Sequence, residues 1–240
     1  MLYASTENKT IKNLKKLSIK KYRDQEECFL IEGEHLVLEA HKRGLLKTLI
    51  VLENSEFKLN VDTMYVSDHV LKYLSDLETP TVIGVCRKLE EHEIGNKVLI
   101  LDDIQDPGNL GTIIRSAVAF NIDTIILSNN TVDLYNSKVV RASQGMLFNV
   151  NIIKRDLLNF VKKLKDEDYE IYATRVSGGK KLKSVEINKK FAIIMGNEGA
   201  GVREELLNLA DQYLYIEMNP LCESLNVGIA TSIILYELNK

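Results

Sequence analysis

The strongest constraint on the fold is the alternation of short apolar strands with helices after residue 97. The predicted strands are Val98–Leu101, Thr124–Leu127, Val150–Ile153, Glu170–Ala173, Phe191–Met195 and Tyr213–Ile216. Helices are predicted between several of them, at Leu110–Phe120, Leu157–Lys165 and Arg203–Ala210. This alternation is typical of an α/β domain in which helices cover both faces of a parallel sheet. Ligands of such sheets bind beyond the carboxyl ends of the strands.

The preceding residues predict a second, smaller α/β domain. Ile11, Leu14 and Leu17 have the spacing of a short amphipathic helix, and a further helix is predicted at Glu34–Lys42. The charged, turn-rich stretch at residues 89–96 predicts the boundary, which gives an amino-terminal domain at 1–92 and a carboxy-terminal domain at 96–240.

Charge is distributed unevenly along the chain. Residues 1–23 hold seven Lys or Arg and one Glu, so this segment carries +6 although the whole protein carries −3. Such a segment is either an RNA-contacting arm or a solvated helix face, and charge alone does not separate the two.

Cysteine usage and hydropathy exclude several classes of protein. The three cysteines form no C-x-x-C pair, so neither a disulfide framework nor a metal site is expected. No apolar run approaches the roughly 18 residues of a membrane span, and the lysine-rich start lacks the apolar core of a signal peptide. We therefore expect a cytoplasmic protein.

A first polar motif follows the strand Val98–Leu101. The chain turns at Pro107-Gly108 and opens a helix for which Asn109 is a candidate cap. Arg115 lies six residues further along, where its guanidinium is suited to binding a phosphate. The alternative is a capped helix with a surface arginine.

Two further motifs follow the last two strands. Gly196-Asn-Glu198-Gly199-Ala-Gly201 places three glycines, which allow close approach of a ligand, around one carboxylate. It does not match the dinucleotide-binding pattern G-x-G-x-x-G. Ser224-Leu-Asn226-Val227 opens a final helix to about Leu238, with Ser224 as its candidate cap.

These three motifs, in this order, resemble those of the SpoU (TrmH-type) class of the SPOUT RNA methyltransferases. The family patterns N-x-G-x-x-x-R, G-x-E-G-x-G and S-L-N-V are matched at 109–115, 196–201 and 224–227. Residues 8–34 also look like the family's amino-terminal substrate-binding domain. This chain departs from the pattern in the third motif, where Glu217 and Asn219-Pro220 replace the usual Pro and Gly.

The resemblance implies S-adenosylmethionine as cofactor, RNA as substrate, a homodimer, and a trefoil knot that periodicity could not predict. It also implies transfer of a methyl group to a ribose 2′-hydroxyl, with ribosomal RNA favoured by the separate amino-terminal domain. Motif matching implies cofactor contacts at four positions, namely Thr174, Gly196, Ile216 and Leu225.

The expected catalytic residues come from all three motifs and are Asn109, Arg115, Glu198, Ser224 and Asn226. All four histidines precede residue 93, so the base in the carboxy-terminal domain is expected among Glu198, Arg115, a tyrosine or water. We expect Arg115 to bind the target phosphate and polarise the hydroxyl, because a guanidinium loses its proton very unwillingly. The alternatives are a tRNA 2′-O-methyltransferase, a non-catalytic RNA-binding homologue and a nucleotide-binding oxidoreductase.

Overall fold

A computed structural model describes residues 2–239, which divide into two compact units. Within that range, the first unit runs to Glu90 and also includes Asp133–Phe148, and the second contains Glu91–Val132 and the chain from Asn149 onward. Met1 and Lys240, the outer ends of the predicted ranges 1–92 and 96–240, lie outside the described residues. The segment Asp133–Phe148 therefore lies in the predicted second range but packs with the first unit.

The first unit is built on a five-stranded mixed sheet in the order β1-β4-β3-β5-β2. The strands are β1 Leu2–Tyr3, β2 Cys28–Glu32, β3 Leu46–Leu52, β4 Asp62–Val66 and β5 Val82–Arg87. β1, β4 and β3 are parallel, while β5 runs antiparallel to both β3 and β2. The helices of this unit are α1 Lys9–Lys16, α2 Lys20–Glu26, α3 Glu34–Lys42, α4 Asp68–Leu74 and α6 Ser137–Ala142.

The amino-terminal basic segment folds as two helices. Asn8 caps α1 by accepting a hydrogen bond from the Thr10 amide, and Ile11 and Leu17 are buried against the sheet as their spacing predicts. The second helix, α2, was not predicted, because its sequence is almost entirely polar and has no apolar period.

The second unit contains a seven-stranded sheet in the order β10-β12-β9-β11-β6-β7-β8. Its strands are β6 Lys97–Leu101, β7 Thr124–Leu127, β8 Asn151–Lys154, β9 Glu170–Thr174, β10 Lys180–Lys181, β11 Phe191–Met195 and β12 Gln212–Tyr215. Every pairing in this sheet is parallel, which confirms the predicted sheet type. The helices of this unit are α5 Pro107–Ala119, α7 Leu157–Asp166, α8 Glu204–Leu207 and α9 Val227–Leu238.

Helices cover both faces of the parallel sheet. Val98 and Ile100 of β6 share a core cluster with residues of α7 and α8. Leu99 and Leu101 point to the opposite face, because side chains alternate along a strand, and both are fully buried as well. α5 and α9 pack against each other. No helix within residues 2–239 is long and apolar enough to cross a membrane.

Candidate active site

The three motifs converge at the carboxyl edge of the parallel sheet, after β6, β11 and β12. Asp106, and not Asn109, caps α5, since its carboxylate accepts a hydrogen bond from the Asn109 amide at 2.8 Å. The predicted cap at Asn109 was therefore wrong. Asn109 is the third residue of the helix, and its side-chain amide remains available for other contacts.

A chain of hydrogen bonds links the three motifs. The Asn226 amide group donates to Oδ1 of Asn109 at 2.8 Å, and the Asn109 amide group donates to Oε1 of Glu198 at 3.0 Å. Oδ1 of Asn226 caps α9 by accepting from the Gly228 amide, so the predicted cap at Ser224 was also wrong. Each side chain donates to the next one, and the last acceptor is the Glu198 carboxylate.

Glu198 is held as an anion. Burial raises the pKa of its carboxyl group, but hydrogen bonds from the Asn109 side chain and from the amides of Asp106 and Gln105 more than offset this and lower the pKa below its ordinary value. A carboxylate with this many donors is a weak proton acceptor, so the geometry favours a positioning role over that of a general base.

The other two predicted catalytic residues, Arg115 and Ser224, do not take part in this series of hydrogen bonds. Arg115 is exposed on α5 and has no hydrogen bond or ion pair to any described residue. Ser224 is exposed at the cavity described next, and its carbonyl accepts a hydrogen bond from Sγ of Cys222. Both side chains are therefore available to a ligand.

A cavity of about 530 Å³ opens beside the hydrogen-bonded residues. All four predicted cofactor residues line it: Thr174, Gly196, Ile216 and Leu225. Glu198 and Ser224 also line it. Gly196 is required for steric reasons, because a Cβ there would lie 2.2 Å from the backbone of Gly201 and Val202. The Thr174 hydroxyl donates to the Ile194 carbonyl, which fixes the end of β9.

The glycine-rich loop has a defined shape. Asn197 and Gly201 exchange two backbone hydrogen bonds of 3.0 Å, and Gly201 has a φ of +71°, a region that favours glycine. The Asn197 side chain accepts from the Gly199 amide and donates to the Asp103 carbonyl. The loop is thus tied both to itself and to the first motif.

An ion pair that no sequence motif indicated anchors this loop. Asp102 is fully buried directly after β6, and its carboxylate accepts hydrogen bonds from the Arg203 amide at 3.0 Å and from Nε of Arg203 at 2.8 Å. Nη2 of Arg203 forms an ion-pair contact of 2.8 Å with the same carboxylate. The same pairing raises the pKa of Arg203. Since the partners are 101 residues apart, only the folded chain reveals the pair.

The unusual third motif forms a local turn. Asn219 accepts hydrogen bonds from the amides of Leu221 and Cys222, and Glu217 pairs with Lys181 at 2.6 Å. Glu217 is therefore engaged outside the hydrogen-bonded chain.

The one described histidine of the second unit does not reach the site. Only His92 belongs to the second unit, where its backbone bonds the side chain of Asn151 at the amino end of β8. The site lies at the opposite edge of that sheet. Within residues 2–239, no group of His, Cys, Asp or Glu is arranged to hold a metal ion.

Two family models match the chain. The SpoU rRNA methylase family matches residues 96–236, and the MRM3-like substrate binding domain matches residues 8–84. A curated relative, 23S rRNA (guanosine(2553)-2′-O)-methyltransferase RlmP of Bacillus subtilis (strain 168), is 39% identical over 98% of this chain and 97% of its own length.

Solved structures show the same fold over the whole chain. The AdoMet-bound rRNA methyltransferase from Sinorhizobium meliloti superposes with a TM-score of 0.88 and 29% identity, over 99% of this chain and 96% of that one. An RNA 2′-O ribose methyltransferase superposes with a TM-score of 0.84 and 29% identity, over 99% and 97% of the two chains.

Proposed function

This chain belongs to the SpoU methylase family, and on that premise we propose how its residues transfer a methyl group from S-adenosylmethionine to the 2′-hydroxyl of a ribose in ribosomal RNA. The observation that carries the proposal is the hydrogen-bonded chain from Asn226 through Asn109 to Glu198, at the edge of a cavity lined by Glu198. It joins all three motifs at one place.

The cavity fits the cofactor. Its volume of about 530 Å³ lies within the range of roughly 300–1,000 Å³ typical of small-molecule sites. Gly196 leaves backbone exposed where any side chain would collide with residues 201 and 202. We assign Thr174, Gly196, Ile216 and Leu225 to the cofactor; when bound, its sulfonium supplies an activated methyl group.

Arg115 serves the RNA side of the reaction. Its guanidinium has no partner among the described residues, and its planar fork matches a phosphate bidentately. We assign it to the phosphate next to the target ribose and to polarisation of the 2′-hydroxyl. The hydrogen-bonded chain of Asn226, Asn109 and Glu198 holds the three motifs together around the acceptor ribose, which Ser224 also helps to orient.

The proton of the hydroxyl leaves to water as the oxygen–methyl bond forms and the sulfur–methyl bond breaks. Glu198 is a poor base, because the Asn109 side chain and the amides of Gln105 and Asp106 already donate to its carboxylate. A guanidinium is not a base at neutral pH either. The protein therefore contributes alignment and electrostatic stabilisation rather than strong base catalysis.

We propose 23S ribosomal RNA as the substrate, at the guanosine that corresponds to the target named for the Bacillus subtilis relative. Support comes from 39% identity over almost the full length of both proteins and from the match of residues 8–84 to a substrate binding domain. A tRNA substrate is the alternative. Because the substrate is ribosomal RNA and the relatives are bacterial, we also propose that the enzyme acts in the cytoplasm.

We further propose a homodimer formed through α9. Ile229, Ile233 and Tyr236 are exposed on this helix at spacings of four and three residues, so they form one apolar stripe. The trefoil knot remains a proposal from the family resemblance. Ile233→Asp should convert a dimer into a monomer in light scattering, whereas a wild-type protein that is already monomeric would exclude the interface.

Mapping of the methylated nucleotide tests the function. The purified full-length enzyme, S-adenosylmethionine and unmodified 23S rRNA should yield one ribose whose 3′ linkage resists alkaline cleavage. Arg115→Ala enzyme is the matched control and should yield none. Methylation of tRNA alone would replace the substrate proposal, and methylation of neither RNA would support a non-catalytic homologue.

A further inference from the structure

One cation stands out among the residues that line the cofactor cavity. Most of them are apolar or glycine, and among the described lining residues only Arg175 and Glu198 carry a formal charge. Arg175 directly follows Thr174 at the end of β9, and neither the sequence motifs nor the family resemblance drew attention to it.

The side chain of Arg175 is held in place by the aromatic ring of Tyr213. Its guanidinium carbon lies 4.3 Å from the centre of the Tyr213 ring, which is a cation–π contact. That ring is itself fixed, because the Tyr213 hydroxyl donates to the Leu207 carbonyl at 3.1 Å and the ring packs on the core cluster. The Arg175 amide donates to the Leu214 carbonyl at 2.9 Å, so backbone and side chain are both anchored.

No described acid neutralises this guanidinium. Glu198 is engaged by Asn109 and by two backbone amides, and Glu217 is paired with Lys181. Arg175 forms no ion pair with any residue of the described chain. Stacking on a ring occupies the face of a guanidinium and leaves its N–H edge available, so the N–H donors of Arg175 can bind an anionic ligand.

We propose that Arg175 binds the α-carboxylate of S-adenosylmethionine. The inference rests on the proposed function, since it takes the cavity to be the cofactor site. A planar guanidinium on a fixed aromatic ring is suited to a bidentate carboxylate contact. Because Arg175 is the only cation that lines the cavity within residues 2–239, it would distinguish the amino-acid end of the cofactor from the adenosine end.

The test compares two ligands that differ only in this carboxylate. Full-length wild-type protein, Arg175→Met, Arg175→Lys and Lys183→Met are titrated by calorimetry with S-adenosylmethionine and with decarboxylated S-adenosylmethionine. Lys183 is a matched control, because it is an exposed cation of the same unit that does not line the cavity. Methionine keeps the apolar stem of Arg175 over the Tyr213 ring, and thermal unfolding checks that each variant is folded.

Wild-type protein should bind S-adenosylmethionine about 10- to 100-fold more tightly than the decarboxylated ligand, as expected for a charge-assisted contact. Arg175→Met should abolish this preference by weakening only the carboxylate-bearing ligand. Arg175→Lys should restore part of it, and Lys183→Met should behave as wild type.

Equal weakening of both ligands in Arg175→Met, or no weakening of either, would overturn the assignment. So would a loss confined to RNA affinity, which would place a phosphate on Arg175 instead. If wild-type protein binds neither ligand, it is the proposed function itself that fails.

Discussion

Replacing Arg203 by methionine removes the anchor of the glycine-rich loop and leaves a buried carboxylate behind. Asp102 would lose the hydrogen bond from Nε and the ion-pair contact with Nη2 of Arg203, both 2.8 Å long, and keep only the hydrogen bond from the Arg203 amide at 3.0 Å. Since Asp102 itself is 0% exposed, water cannot easily replace the lost donors.

The magnitude follows from these contacts. Removing one partner of a buried ion pair costs about 3–5 kcal/mol. The Arg203 side chain is 47% exposed, so solvent screening reduces this by roughly half, and we expect a loss of about 2 kcal/mol. Adding Asp102→Asn should recover much of this loss, because an asparagine still accepts from the amide and carries no charge to bury.

Hydrogen exchange is the suitable assay, because a chain with two units need not unfold in one step. Amides of β11, which pair with β6 and precede the loop, report the opening of this sheet. Arg203→Met should speed their exchange and weaken binding of S-adenosylmethionine, while Glu204→Gln serves as an exposed control at the start of helix α8. A change of less than about 0.5 kcal/mol in Arg203→Met would refute the argument, since that is the range of ordinary surface substitutions.

Three further predictions concern catalysis, pH and RNA binding. Arg115→Ala should lower kcat at least about 100-fold with the affinity for S-adenosylmethionine unchanged, and near-normal kcat in Arg115→Lys would contradict the bidentate role. The pKa of the Glu198 carboxyl group, measured by NMR, should lie below its ordinary value of 4.5. The folding stability that this carboxylate contributes should therefore be complete above that pH and be lost as pH falls through the folded pKa, and Glu198→Gln should lack this loss. A measured pKa above 4.5 would return Glu198 to the candidate bases. Four lysines of the amino-terminal helices have no acidic partner among the described residues: Lys9, Lys15, Lys16 and Lys21. Changing these to Ser should reduce the log–log salt slope of RNA binding by roughly 0.7–0.9 per lost phosphate contact, more than changing the ion-paired Lys12 and Lys20, and equal slopes would indicate a merely solvated face.

The periodicity of apolar residues was sufficient to predict the longer strands and helices of the fold. Strands β7 and β11 and helix α3 have the bounds that the sequence predicts, because each carries a clear apolar pattern between turn residues. The two-residue strands β1 and β10 and the short helix α6 were not predicted. Elements of this length have no period of their own and are specified by the neighbours on which they pack.

The site was predicted in its composition but not in its connections. The motifs identified Asn109, Glu198 and Asn226, yet their hydrogen bonds span 89 and 117 residues of sequence and exist only in the folded chain. The cap assignments failed for a related reason. Asp106 and Asn226 were equally good caps by residue type, and only backbone geometry distinguishes them from Asn109 and Ser224.

The segment Asp133–Phe148 shows why the full chain must be kept intact. Although it connects β7 to β8, Asp133 forms a buried ion pair with Arg23, and the Tyr135 ring lies 4.6 Å from that of Phe29. Burial raises the pKa of Tyr135 to about 12, although its hydroxyl accepts a hydrogen bond from the Leu89 amide. A fragment beginning near residue 97 would expose these groups and leave Asp133 without its cation. The first unit is therefore completed by residues from the methyltransferase half of the sequence, and neither half contains all the contacts that fold it.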